Sequence, residues 1–191
     1  MEKQDIKPFI DTMIKDTIYK ISFVTGYSVK SMCEDFCNHV FKSGLGNELS
    51  PYFKRDITID GMEFKGNKKA VKFEPISENS ERISMKINSD AYEYAYHLSY
   101  AVGCSVAKIV GYAVEKCMRD FDYLSKYIDQ FLCKSLNEEG KNSMKDIVDI
   151  VNEDFQEGYG AISLVMYIGD KYRRFNEGAE RIIKDVDLIK S

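Results

Sequence analysis

An α+β fold, mostly helical, is predicted for this chain: two strand-helix-turn-helix units with a β-hairpin or meander between them and a helical region after them. A repeat within the sequence, period-two alternation ahead of the second copy, and apolar spacings of three and four residues in both copies and beyond lead to it. The segments are 1–42, a less regular unit; 43–80, the insert; 81–119, the clearer unit; and 120–191, an acidic helical region suited to packing, oligomerisation or partner binding.

A shift of 77 residues sets Tyr19 to Ser31 on Tyr96 to Lys108. Tyr19, Ser22, Gly26, Ser28 and Val29 then meet the identical Tyr96, Ser99, Gly103, Ser105 and Val106. Apolar positions keep step as well: Ile18, Ile21, Met32, Cys33, Phe36, Cys37 and Val40 fall on Ala95, Leu98, Ile109, Val110, Ala113, Val114 and Cys117.

In the first unit this spacing predicts helices over about Met13–Thr25 and Ser28–Lys42. Its strand falls at Asp5–Ile10, with Ile6, Pro8 and Ile10 inward and Asp5, Lys7 and Phe9 outward. Pro8 removes a backbone donor, which an edge strand tolerates.

The insert carries Asp60-Gly61 and Gly66-Asn67 between short apolar runs, the residue pairs that primed hairpin turns select. A three-stranded meander over 55–73 is expected. Lys65, Lys68, Lys69 and Lys72 gather around its second turn, where they can meet phosphates or simply keep a hairpin tip solvated.

The second unit begins with Glu81–Asn88, whose alternation argues for a half-buried strand. Ile83, Met85 and Ile87 face the helices, and Arg82, Ser84 and Lys86 form a polar row on the other side. Ala91, Ala95, Leu98 and Val102 mark a helix over Asp90–Val102, with Ser89 or Asp90 as its cap. Gly103 suits a left-handed helix end, and Ser105 caps a second helix to about Arg119 with Val106, Ile109, Val110, Ala113, Val114 and Cys117 on its buried stripe.

From Phe121 onward the pattern is helical, with breaks at Glu139-Gly140 and Gly158–Gly160 and a last helix over about Ala161–Ile189. Ile147, Val148, Val151 and Phe155 form one stripe; Leu164, Val165, Ile168 and Tyr172 form another.

Residues 81 to about 119, with Gly103-Cys104-Ser105 at the turn, resemble the ribbon-helix-helix family of the MetJ/Arc type. The resemblance implies two ribbon-helix-helix-like units whose strands pair antiparallel and enter the major groove of double-stranded DNA, the outward side chains reading bases. The readers it implies are Arg82, Ser84 and Lys86, with Lys7 from the first copy, where Asp5 repels phosphate and Phe9 offers no hydrogen bond. Phosphate anchors fall at the second-helix N-termini, Ser105 and Val106, Ser28 and Val29, supplemented by Lys108, Lys68 and Lys69. The pairing is either within one chain, as a pseudo-dimer, or between the second copies of two chains in a homo-oligomer. The implied role is a transcriptional repressor or a plasmid or mobile-element site factor, as in conjugation-origin accessories or partition, with a protein partner for the C-terminal helices. A protein-interaction module of antitoxin-like or phage-encoded type, using the same helices without DNA, is the alternative.

Composition bounds these expectations. With 44% apolar residues the chain can build a core. No apolar run reaches the roughly 20 residues of a membrane span, and Met1-Glu2-Lys3-Gln4-Asp5 is no signal sequence, so a soluble, cytoplasmic protein is expected. The net charge of −4 and pI near 5.4 run against bulk electrostatic attraction to DNA. Lys plus Arg balance Asp plus Glu in each segment up to residue 120, and the deficit, 10 against 14, lies in 121–191. Five cysteines without CxxC spacing fit reduced thiols. Cys33 and Cys37, four apart on one helix face with His39 nearby, suggest a metal site, yet Cys33 and Cys37 align with Val110 and Val114, which makes them core, His39 aligns with Lys116 on an exposed face, and no metal is expected. Gly158-Tyr159-Gly160 lacks the strand and third glycine of a dinucleotide site. With two histidines and no nucleophile elbow, no catalytic constellation and no cofactor are expected.

Overall fold

A computed structural model describes residues 3–74, 79–120, 122–124, 126–128 and 130. The chain divides into two compact units, Met1–Ile18 with Tyr27–Phe121, and Tyr19–Gly26 with Asp122–Ser191. The described residues 122–124, 126–128 and 130 are helical. The stripes expected over Ile147–Phe155 and Leu164–Tyr172, the breaks at Glu139-Gly140 and Gly158–Gly160, the last helix over Ala161–Ile189, and Cys133 lie outside the described residues.

The fold is mixed α and β, with small antiparallel two-stranded sheets. Strands β1 (Lys3–Ile6) and β2 (Phe9–Asp11) lead into helices α1 (Thr12–Thr25) and α2 (Val29–Lys42); β5 (Ser80–Arg82) and β6 (Met85–Asn88) lead into α4 (Ser89–Val102) and α5 (Val106–Cys117). Between the two sets come the short helix α3 (Leu45–Leu49), a 3-10 turn at Ser50–Tyr52, and strands β3 (Ile57–Ile59) and β4 (Met62–Phe64).

The strands of the two repeats pair within the chain. β1 runs antiparallel to β6, with Asp5 opposite Lys86 and Ile6 opposite Met85. β2 runs antiparallel to β5 in the same register, with Phe9 opposite Arg82 and Ile10 opposite Glu81. Together they make one ribbon with a break at Pro8. There the Ile83 amide donates to the Pro8 carbonyl at 3.1 Å, but proline has no N–H to return the bond. The expected strands, Asp5–Ile10 and Glu81–Asn88, are therefore each split in two. Carried through the break, the register sets Lys7 opposite Ser84. These two are also equivalent in the repeat, so the ribbon's approximate two-fold axis passes between them.

The middle of one face of the ribbon is dry, with Gln4 and Glu81 exposed at its two ends. Ile10, Ile83, Met85 and Ile87 are fully buried and Ile6 nearly so, each such side chain contributing about 1.5–3 kcal/mol of transfer free energy. Onto it the repeats cross over: α2 packs along β6, α5 along β2, and α2 on α5. Met32, Cys33, Phe36, Cys37 and Val40 of α2 are buried, as are Ile109, Val110, Ala113, Val114 and Cys117 of α5; Val106, expected on that stripe, is half-buried. Burial pushes the Cys33 thiol up to about 12 and Cys37 well above its ordinary value, which keeps both neutral.

Equivalent residues cap equivalent helices. The Asp11 carboxylate accepts from the Met13 and Ile14 amides, and the Asn88 side chain accepts from Ala91 at 2.8 Å. Asn88, not Ser89 or Asp90, is thus the cap of α4: its extended backbone, φ −68° and ψ 162°, leaves the side chain aimed back at the first turn. Gly26 and Gly103 are left-handed, at φ 67° and 77°, and end α1 and α4. Their turns lead to the caps Ser28 and Ser105, which accept from Ser31 and Lys108.

The insert breaks this symmetry by folding over the second copy. The Gly46 amide donates to the Tyr94 hydroxyl, Glu48 takes the Tyr112 hydroxyl and the Lys116 ammonium, and Arg55 donates to the Tyr100 carbonyl while lying 4.6 Å from that ring's centroid. Asp60 (φ 52°) and Gly61 form the primed turn of a β3–β4 hairpin. The third strand of the expected meander is absent from the described residues. Gly66 instead lies against the Arg55 backbone, where any Cβ would collide, and Asp56 and Phe53 accept from the Gly66 and Asn67 amides.

A second glycine marks the tightest crossing. A Cβ on Gly111, in mid-α5, would sit 2.6 Å from the Phe9 carbonyl oxygen. Alanine there adds helix propensity of about 1 kcal/mol but forces α5 off β2. Gly111→Ala is expected to lose about 1–3 kcal/mol in urea unfolding, the opposite sign to that of a glycine-to-alanine change on an open helix face.

Candidate nucleic-acid interface

The face of the ribbon opposite the core displays Asp5, Lys7, Phe9, Arg82 and Ser84, all exposed, and Lys86, half-buried. Antiparallel ladders alternate between hydrogen-bonded and non-bonded pairs, and side chains approach more closely in the latter. With Pro8 and Ile83 as a bonded pair, the outward pairs Asp5–Lys86, Lys7–Ser84 and Phe9–Arg82 are the non-bonded ones.

Their contacts follow. The Lys86 ammonium lies 3.6 Å from an Asp5 carboxylate oxygen, an exposed pair of small energetic worth. Arg82 places its guanidinium carbon 4.9 Å from the centroid of the Phe9 ring, a cation–π arrangement. Lys7 and Ser84 stand between them at the centre. At the ribbon's ends Lys3 pairs with Glu34 and Lys15 with Glu81, each at 2.5 Å. The hydrogen bond to Glu34 raises the Lys3 pKa.

Lys7, Phe9 and Arg82 share a groove of about 520 Å³ with Ser105, Lys108 and Gly111 of the second copy. The start of α5 therefore adjoins the outward row on the Phe9–Arg82 side. Ser28 and Val29, at the start of α2, do not line this groove.

The lysines chosen from sequence are placed differently from one another. The Lys108 ammonium donates to the Phe73 carbonyl at 2.6 Å and lies 5.4 Å from that ring's centroid. It fastens the insert to α5. Lys68 and Lys69 are exposed on the insert beyond Gly66 and do not line the groove. Phe73, packed between Tyr52 and Tyr112, and the buried Glu115 also line the groove, and no pattern in the sequence marks either of them. Phe9, an aromatic residue at an outward position of the expected strand, is 55% exposed in the folded chain.

Among the described residues no group of three or more histidines, cysteines and acidic residues could hold a metal, and no helix is long and apolar enough to cross a membrane. One buried carboxylate does face the groove: Glu115 accepts the Asp11 amide at 2.7 Å. In the equivalent place of the other copy the Asn88 side chain donates through Nδ2 to the Asn38 Oδ1 at 3.3 Å. Both bonds tie a first-helix cap to the second helix of the opposite repeat.

Burial raises the Glu115 pKa more than the Asp11 amide lowers it. Between the ordinary carboxyl value and the raised one, the folded chain holds a proton that the unfolded chain releases, so this group's contribution to stability falls as pH rises through that interval. Glu115→Gln keeps an acceptor and abolishes the titration. The difference in urea midpoint between variant and wild type is expected to move in the variant's favour from about pH 4 to about pH 7, the range that brackets a raised carboxyl. No family model, curated protein or solved structure matches the chain.

Proposed function

We propose that the chain is a sequence-specific double-stranded DNA-binding protein of the ribbon-helix-helix type, with two units paired inside one chain. The observation that carries this reading is the antiparallel ribbon of β1–β2 with β5–β6: one face is sealed by both second helices, and the other presents Lys7, Arg82, Ser84 and Lys86 as donors. A major groove about 12 Å wide admits such a two-stranded ribbon. The capped starts of α2 and α5, at Ser28-Val29 and Ser105-Val106, direct amides suited to phosphates.

The role that follows is repression of transcription or the marking of a site on a plasmid or other mobile element, as an origin accessory or partition factor. Both use one mechanism of recognition and neither requires a catalytic step. The acidic segment 120–191 repels DNA and is assigned to a protein partner. Near-neutral charge in the repeats and the Asp5–Lys86 pair favour a second reading, a protein-binding module that presents the same face to a polypeptide.

Selection from a random duplex pool, followed by titration at moderate salt, separates the two. A preferred duplex bound no better than random DNA rejects the DNA reading. Arg82→Ala, Lys86→Ala and Lys7→Ala are each expected to weaken the selected complex by about 1–3 kcal/mol without changing the unfolding midpoint by more than a surface substitution does. Asp5→Asn is expected to strengthen it, because a carboxylate leaves the face turned to phosphates.

A further inference from the structure

Phe9 is the one member of the outward row with no polar group to offer DNA. It is 55% exposed, and its ring is joined to Arg82 across the strand pair. The two side chains project as one unit, apolar on one part and a fork of donors on the other.

In the major groove the apolar feature of a base pair is the thymine C5 methyl, and the match for an arginine fork is O6 and N7 of guanine. Stacked base pairs rise by about 3.4 Å, a spacing that two touching side chains span. Resting on the DNA-binding reading, we propose that Phe9 and Arg82 recognise a thymine and a guanine in adjacent base pairs, Phe9 packing on the methyl and Arg82 donating to the guanine. The opposite arm of the ribbon carries Asp5 and Lys86 at the equivalent positions and has no apolar side chain in its row. Dependence on a methyl group is therefore confined to one half of the site, and the preferred sequence is not a palindrome.

The test uses the full chain and its preferred duplex from the random pool, with each thymine replaced singly by deoxyuridine, which removes the methyl and nothing else. One replacement, next to a guanine, is expected to weaken wild-type binding about fourfold, the worth of one apolar carbon withdrawn from water. The same replacement leaves Phe9→Ala unchanged, since that variant already binds the thymine duplex about as weakly as wild type binds the altered one. Phe9→Leu retains part of the discrimination. A merely structural role for Phe9 would instead weaken binding to both duplexes alike. With a preferred duplex in hand, the inference is overturned if no replacement weakens the wild type, or if the loss persists in Phe9→Ala. A pool that yields no preferred duplex overturns it together with the DNA-binding reading.

Discussion

The antiparallel pairing of residues 3–11 with residues 80–88 is the constraint on which the rest of the compact body of Met1–Ile18 and Tyr27–Phe121 depends. A lone two-stranded ribbon is marginal in water, and this one persists because its inner face is covered by helices from both repeats. The coverage is crossed, α2 lying on β6 and α5 on β2. Neither repeat can bury its own strand alone, so the two halves fold as one cooperative body. The side chains that tie each first-helix cap to the other repeat, Glu115 at Asp11 and Asn38 at Asn88, repeat this dependence in polar form.

Crossed packing also determines where the chain tolerates difference. Gly111 lets α5 approach the β2 backbone, whereas its equivalent in α2 is Glu34, whose carboxylate takes up Lys3. The repeats therefore share a scaffold and differ where a helix meets a strand. The insert widens the difference by packing on α4 and α5, anchored through Tyr94, Tyr100, Tyr112 and Lys108. The outward row inherits this asymmetry: one end holds an ion pair, the other a guanidinium on an aromatic ring.

Legibility varied with how local the cause was. The left-handed Gly103, the serine cap that follows it, and the buried stripes of α2 and α5 were readable because each depends on residues within a few positions, and Gly26 and Ser28 were readable as their equivalents in the repeat. The alternation of Ile83, Met85 and Ile87 with Arg82, Ser84 and Lys86 was readable for the same reason. Helix α3 was not: five residues carry no periodicity, and it stands because Leu45 and Leu49 find a core. The meander over 55–73 failed at Gly66-Asn67, where a turn signal serves a close backbone approach to Arg55 and not a hairpin.

The candidate site divides along the same line. Periodicity in the chain settled which residues face out, since a strand's two faces follow from its period of two. The identities brought together by the 77-residue shift gave the repeat, and with it the two Ser-capped helix starts. Only the folded chain decided that the strands pair with each other within one molecule, that Lys108 is spent on Phe73, and that Arg82 lies on Phe9. These are contacts between residues far apart in sequence, made by side chains whose partners depend on register and on the path of the insert, and no local pattern of residue types encodes either.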